Sequence, residues 1–216
     1  MKFLKLLAGV LASFAIAASG SAAEIYANGE LNGTYGAQSI SPPQSVSNSF
    51  LLSSAARVTG VTLGLWTGRG TQPATLSWSF GTSAFASDRA TGAAALTNVI
   101  AFTNNEFEVD IYLSSFALDV TLGAGEYWLT LGNGINTSGG PLFWDINFGP
   151  SQAEFRNPTD SGVIDSEFFV LTGDDATDPG PGPNPQPVPE PASMALLAAG
   201  VIGFAASRPR RSSPAH

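Results

Sequence analysis

The chain has 216 residues, no cysteine, and a single histidine at its last position, His216. Ser-His-Asp and thiol catalysis, His- or Cys-ligated metals and iron–sulfur clusters are therefore excluded from any folded region, leaving carboxylate chemistry or oxygen-ligated cations. Away from the two ends only Arg57, Arg69, Arg89 and Arg156 oppose 16 of the chain's 17 acidic residues, a balance of about −12 that repels nucleic acid.

Residues 1–23 follow the plan of a secretory signal: Lys2 and Lys5, an apolar run from Leu6 to Ala18, then small residues. Ser21-Ala22-Ala23 sets small side chains where signal peptidase requires them, which predicts cleavage between Ala23 and Glu24.

From 24 to 173 no amphipathic helix is readable, and short alternating runs recur between Gly, Pro, Asn and Ser clusters. The expected fold class is all-β, an antiparallel β-sandwich or jelly roll. Strands are predicted at 57–66, 75–80, 96–102, 106–113, 116–122, 126–131, 142–148 and 167–171, with weaker ones at 34–40 and 46–52. The clearest alternation, 106–113, places Phe107, Val109, Ile111 and Leu113 on one face and Glu106, Glu108, Asp110 and Tyr112 on the other.

The row Glu106, Glu108, Asp110 has the residue types of a cation site or an acid/base pair, though a solvated strand face carries the same pattern. A carboxylate enzyme would take Asp or Glu together with Tyr112 or Tyr127. Among the tryptophans, Trp78 and Trp144 alternate in phase with apolar neighbours and are expected in the core. Trp66 and Trp128 fall on polar faces and are the candidates for stacking on a glycan. The segment 132–140 is Gly-rich but has no lysine and no following helix, so it reads as a turn or long hairpin loop rather than a phosphate cradle.

Residues 174–187 form an Asp/Pro/Gly-rich linker, whose Asp174, Asp175 and Asp178 are weak calcium candidates because they lack a full loop pattern of ligands. No metal and no cofactor is predicted. Then come Pro189-Glu190-Pro191, an apolar run over 192–206, the basic end Arg208, Arg210, Arg211 at 208–211, and a disordered end at 212–216. Fifteen apolar residues make a helix of about 22 Å, which can be held in a bilayer with snorkelling arginines on the cytoplasmic side.

Pro-Glu-Pro, an Ala/Leu/Gly/Val helix and a terminal arginine cluster, in that order over 188–211, closely resemble the PEP-CTERM protein-sorting tail. The resemblance implies recognition by exosortase, an integral membrane cysteine enzyme, and removal of the tail near Pro189-Glu190-Pro191. It also implies a Gram-negative host that makes extracellular polysaccharide. Gly125-Glu-Tyr-Trp-Leu129 resembles a strand of a sandwich domain common among proteins with this tail, which bears on fold more than on activity.

The reading is therefore an exported, non-enzymatic surface or extracellular-matrix protein. Its expected partners are signal peptidase and exosortase during export, the membrane through its tail helix before processing, and exopolysaccharide afterwards. The alternative is a carbohydrate-binding module using Trp66 and Trp128; a carboxylate-based glycosidase or lyase is the remote one.

Overall fold

Every regular element in residues 22–176, the range described by a computed structural model, is a β-strand. In chain order they are β1 (Ala23–Ala27), β2 (Ala37–Ser39), β3 (Ser45–Leu52), β4 (Ala56–Gly68), β5 (Pro73–Gly81), β6 (Ala90–Ala95) and β7 (Thr97–Asn104). β8 (Val109–Leu122), β9 (Gly125–Asn136), β10 (Phe143–Asp145), β11 (Ala153–Arg156), β12 (Ser161–Ile164) and β13 (Phe169–Asp175) complete the set. The expected signal up to Ser21, the tail helix, Asp178 and the sorting residues Pro189 to Arg211 lie outside the described residues.

The strands form two antiparallel sheets. Sheet A has seven strands: β1, β13, β4, β10 and β2 in order, with β8 on the other side of β4 and β7 beyond it. Sheet B has six, in the order β12-β11-β3-β9-β5-β6. Alternation turns one side of each sheet inward. On β4 the inward residues are Val61, Leu63 and Leu65; on β5 they are Leu76 and Phe80; on β9 they are Tyr127, Leu129 and Leu131. Phe50 ties the layers together, with ring centroids 5.7 Å from Phe80, 5.8 Å from Tyr127 and 6.0 Å from Phe169 of the opposite sheet. The all-β sandwich architecture matches the expectation.

Several boundaries differ. The alternation at 106–113 is interrupted by a turn, and β8 begins only at Val109. Asn104 Oδ1 accepts the backbone N–H groups of Glu106 (2.9 Å) and Phe107 (3.1 Å), and Glu108 adopts φ 57°, so Asn chemistry closes a β7–β8 hairpin where apolar/polar period alone reads as strand. Once past the turn, β8 runs unbroken through Ser114 and Ser115, because buried Ser114 donates its hydroxyl to Asn98 Oδ1 at 2.7 Å and so sits satisfied mid-strand. β1, β6, β11 and β12 were not predicted, and β6 is written almost wholly in Ala and Gly, which carry little period-2 signal.

At the C-terminal side, β13 extends through Asp174 and Asp175, which pair with Arg57 and Ala56, so the linker begins two residues later than expected. β1 pairs with β13 alone, with Ala23 opposite Gly173 and Glu24 opposite Thr172. The first and last strands of the domain are thus neighbours.

Candidate functional site

The outer face of sheet A holds an aromatic row laid down by strand register. Phe143 of β10 stands opposite Trp66 of β4, Trp66 opposite Ile111 of β8, and Ile111 opposite Phe102 of β7. Loop 28–36 crosses this face and is pinned by one carboxylate. Asp145 Oδ1 accepts from Gly33 N and Trp66 Nε1, both at 2.7 Å, and Oδ2 accepts from Asn32 N at 2.9 Å. Asn104 Nδ2 holds the Gly33 carbonyl at 2.9 Å. Gly33 is required here: its φ is 65°, and a Cβ would lie 1.8 Å from the Phe102 ring.

Asn32 then turns the chain by accepting from Thr34 N and Tyr35 N, both at 3.1 Å, and so presents Tyr35. Tyr35 packs against Phe148 with the rings tilted by 58° and 4.9 Å between centroids, and the Phe107 centroid lies 5.5 Å from that of Trp66. Tyr35, Trp66, Phe107, Val109 and Phe143 line a mainly apolar cleft of about 340 Å³. Its rim is open, with Tyr35 54%, Phe107 47% and nearby Phe148 73% exposed, while Trp66 forms the floor at 4%. Open rings around a rigid floor suit stacking on a flat apolar ligand face.

Two acids lie beneath the surface. Burial raises the pKa of Asp145, and its three N–H donors pull in the opposite direction. Glu167 is fully buried, neither of its carboxyl oxygens has a hydrogen-bond partner, and its pKa is pushed well up by desolvation and then by the charges of Asp145 and Asp165. Sealed from water and without a donor, the Glu167 carboxyl is disfavoured in its charged form. Its backbone N–H donates to Asn48 Oδ1 at 2.8 Å, joining it to a polar network in which Asn28 Nδ2 bonds Ser166 Oγ and the Glu167 carbonyl, both at 2.6 Å. Neither acid can serve as an exposed acid or base from these positions.

Residues 187–211 match a family model, that of the PEP-CTERM protein-sorting motif. The chain carries a PEP-CTERM sorting tail. That tail implies an exported protein that exosortase processes through a membrane-anchored intermediate. The match includes Pro189, Glu190, Pro191, Arg208, Arg210 and Arg211 and stops short of the β domain. No curated protein matches the chain.

The other expected site residues of this PEP-CTERM protein can now be placed. The three-carboxylate row is not assembled: Glu106 and Glu108 lie in the turn, while Asp110 on β8 accepts from Gly70 N at 2.9 Å and Thr103 Oγ1 at 2.7 Å, which holds its pKa down. Trp66 is buried rather than exposed, because loop 28–36 and Phe107 cover the face that alternation assigns to solvent. Trp128 is half-buried on sheet B, facing Ser49 and Gly81 in register. Trp144 is core, as expected, and donates Nε1 to the Phe168 carbonyl at 2.7 Å; Trp78 is half-buried against Phe80 and Phe116.

Tyr112 and Tyr127 are both buried, Tyr127 within the core. Asp175 accepts from Ser54 Oγ at 3.1 Å, and among the described residues no three His, Cys, Asp or Glu side chains gather as a metal site. The segment at 132–140 continues β9 as far as Asn136, whose side chain then organises the turn by accepting from Ser138 N and Gly140 N. Sequence reasoning missed Tyr35, Phe107, Phe143 and Phe148 as cleft residues. Each lies in a run read as strand, 34–40, 106–113 or 142–148, and the available signal was the Gly and Asn residues beside these rings, which mark turns and loops.

Proposed function

We propose that this is a non-enzymatic surface or extracellular-matrix protein that works with its host's exopolysaccharide. In this reading the outer face of sheet A is a saccharide-stacking surface. The observation that carries it is the open aromatic cleft of Tyr35, Phe107 and Phe143 over Trp66, fixed in place by the Asp145 hydrogen bonds. An apolar cleft whose lining residues include no carboxylate suits binding without turnover. The glycan role of Trp66 becomes that of a floor, with Tyr35 and Phe107 supplying the accessible rings.

Tryptophan fluorescence of the full-length protein in detergent, titrated with the host's purified polysaccharide, tests this. A saturable change is expected. Phe107→Ala weakens binding by roughly fivefold, the loss of about 1 kcal/mol of aromatic contact. No response in the wild-type protein, or shortening of the polysaccharide during incubation, removes the reading.

A further inference from the structure

The outer face of sheet B carries a second cleft, of about 260 Å³, with the opposite chemistry. Its floor is polar because Ser77, Ser79 and Thr130 alternate with the core residues Leu76, Phe80, Leu129 and Leu131. An ordinary solvated sheet face would also be polar, but three observations distinguish this one.

The first is Arg156, on the cleft rim. Of the four arginines among the described residues, Arg57 pairs with Asp119 at 2.8 Å, Arg89 with Asp88 at 3.6 Å, and Arg69 bonds the Asn105 side chain at 2.6 Å. Arg156 has no such polar partner among the described residues; its guanidinium lies 4.3 Å from the centroid of the Phe85 ring. Glu154, two positions earlier on the same strand face, makes no ion pair with it. In a domain so rich in carboxylates, one guanidinium keeps its hydrogen-bonding fork free.

The second is the strain under that fork. Phe85 adopts φ 61°, a left-handed conformation costly for a bulky side chain, and its N–H donates to Ser47 Oγ at 3.2 Å. The third is Gln44, whose Oε1 is buried in the cleft wall without a hydrogen-bond partner. The Ser45 and Ser87 hydroxyls on the same wall also bond no group among the described residues.

We propose that this cleft binds a carboxylate-bearing sugar. Arg156 grips the carboxylate through its planar fork, with Phe85 backing the guanidinium. The Ser45 and Ser87 hydroxyls bond the sugar's hydroxyls, and Gln44 turns its side chain outward from the wall for its sealed Oε1 to accept from another. The acids elsewhere on the domain do not forbid this, since at physiological salt charges beyond about 8 Å are largely screened while contact at Arg156 is not. The site does not depend on the aromatic cleft. Because the two lie on outer faces of opposite sheets, one molecule can engage two glycan chains.

Calorimetric titration of the full-length protein in detergent with hexagalacturonate and with its uncharged methyl ester tests the proposal. The acid is expected to bind about tenfold tighter than the ester, in line with one charge-assisted contact. Arg156→Gln abolishes that preference and Phe107→Ala leaves it intact. No binding of the acid, equal binding of acid and ester, or a preference that survives Arg156→Gln overturns it. Loss of the preference in Phe107→Ala alone would place the acid in the aromatic cleft, sinking this site while the saccharide reading of sheet A stands.

Discussion

A carboxyl group with no partner, sealed inside a sandwich, ties the protonation of Glu167 to folding. Its folded pKa lies above the unfolded value, so as pH rises past the unfolded pKa the unfolded chain releases a proton that the folded chain keeps. Stability therefore falls from about pH 4.5 upward until the folded group itself ionises. Asp145 contributes in the same direction, while Asp88, Asp110 and Asp119, with lowered pKa values, lose their contribution only at more acid pH. Urea unfolding of wild type should show a midpoint that declines between pH 5 and pH 8. Glu167→Gln should flatten most of that decline and be the more stable of the two at pH 8; parallel curves for the two proteins would show that Glu167 does not titrate differently on folding.

Loop 28–36 and the bulge at the end of β13 show how whole elements hang on single atoms. Asp145 supplies the acceptors for Asn32 N and Gly33 N and anchors the cleft floor at Trp66. Asp145→Ala should release the loop: hydrogen exchange at the Asn32 and Gly33 amides should accelerate by at least about tenfold, with Leu129 and Leu131 of the core unchanged. At Gly173 the register of β13 on β4 shifts by a bulge, and a Cβ there would lie 2.1 Å from the Arg57 carbonyl oxygen. Gly173→Val should cost about 2 kcal/mol, seen as a fall in Tm of roughly 4–8 °C. Neither feature was legible beforehand. Alternation locates Asp145 and Gly173 near strands, but a loop arriving from more than 100 residues away, or a carbonyl on a neighbouring strand, leaves no local mark.

For the molecule as a whole, the sorting motif and the two clefts occupy separate segments. The sorting match spans 187–211, and both clefts lie within 22–176. Deleting residues 188–211 should therefore abolish the membrane-anchored intermediate, read as loss of the protein from the membrane fraction and of delivery to the cell surface. Near-ultraviolet circular dichroism of the truncated protein should match that of the full chain. Unchanged membrane retention after the deletion would show that the tail is not the anchor. The pairing of β1 with β13 also delays closure of sheet A until the last strand has been made, since β1 has no other partner in its sheet.

What the amino-acid order determined by itself was periodic or contiguous. The all-β class followed from period-two alternation, the exclusion of imidazole and thiol chemistry from the absence of those side chains, and the sorting tail from motifs adjacent along the chain. Those properties survive without knowledge of neighbours in space. Which tryptophan meets solvent, which carboxyl is sealed from water and which arginine keeps its guanidinium free of polar partners among the described residues were decided by the tertiary structure alone. Trp66 has the alternation of an exposed residue yet is covered by loop 28–36, and Glu167 reads as an ordinary strand acid yet is sealed from water. Burial and desolvation arise from segments distant in sequence coming together, so they are properties of the packed sandwich rather than of any stretch of its chain.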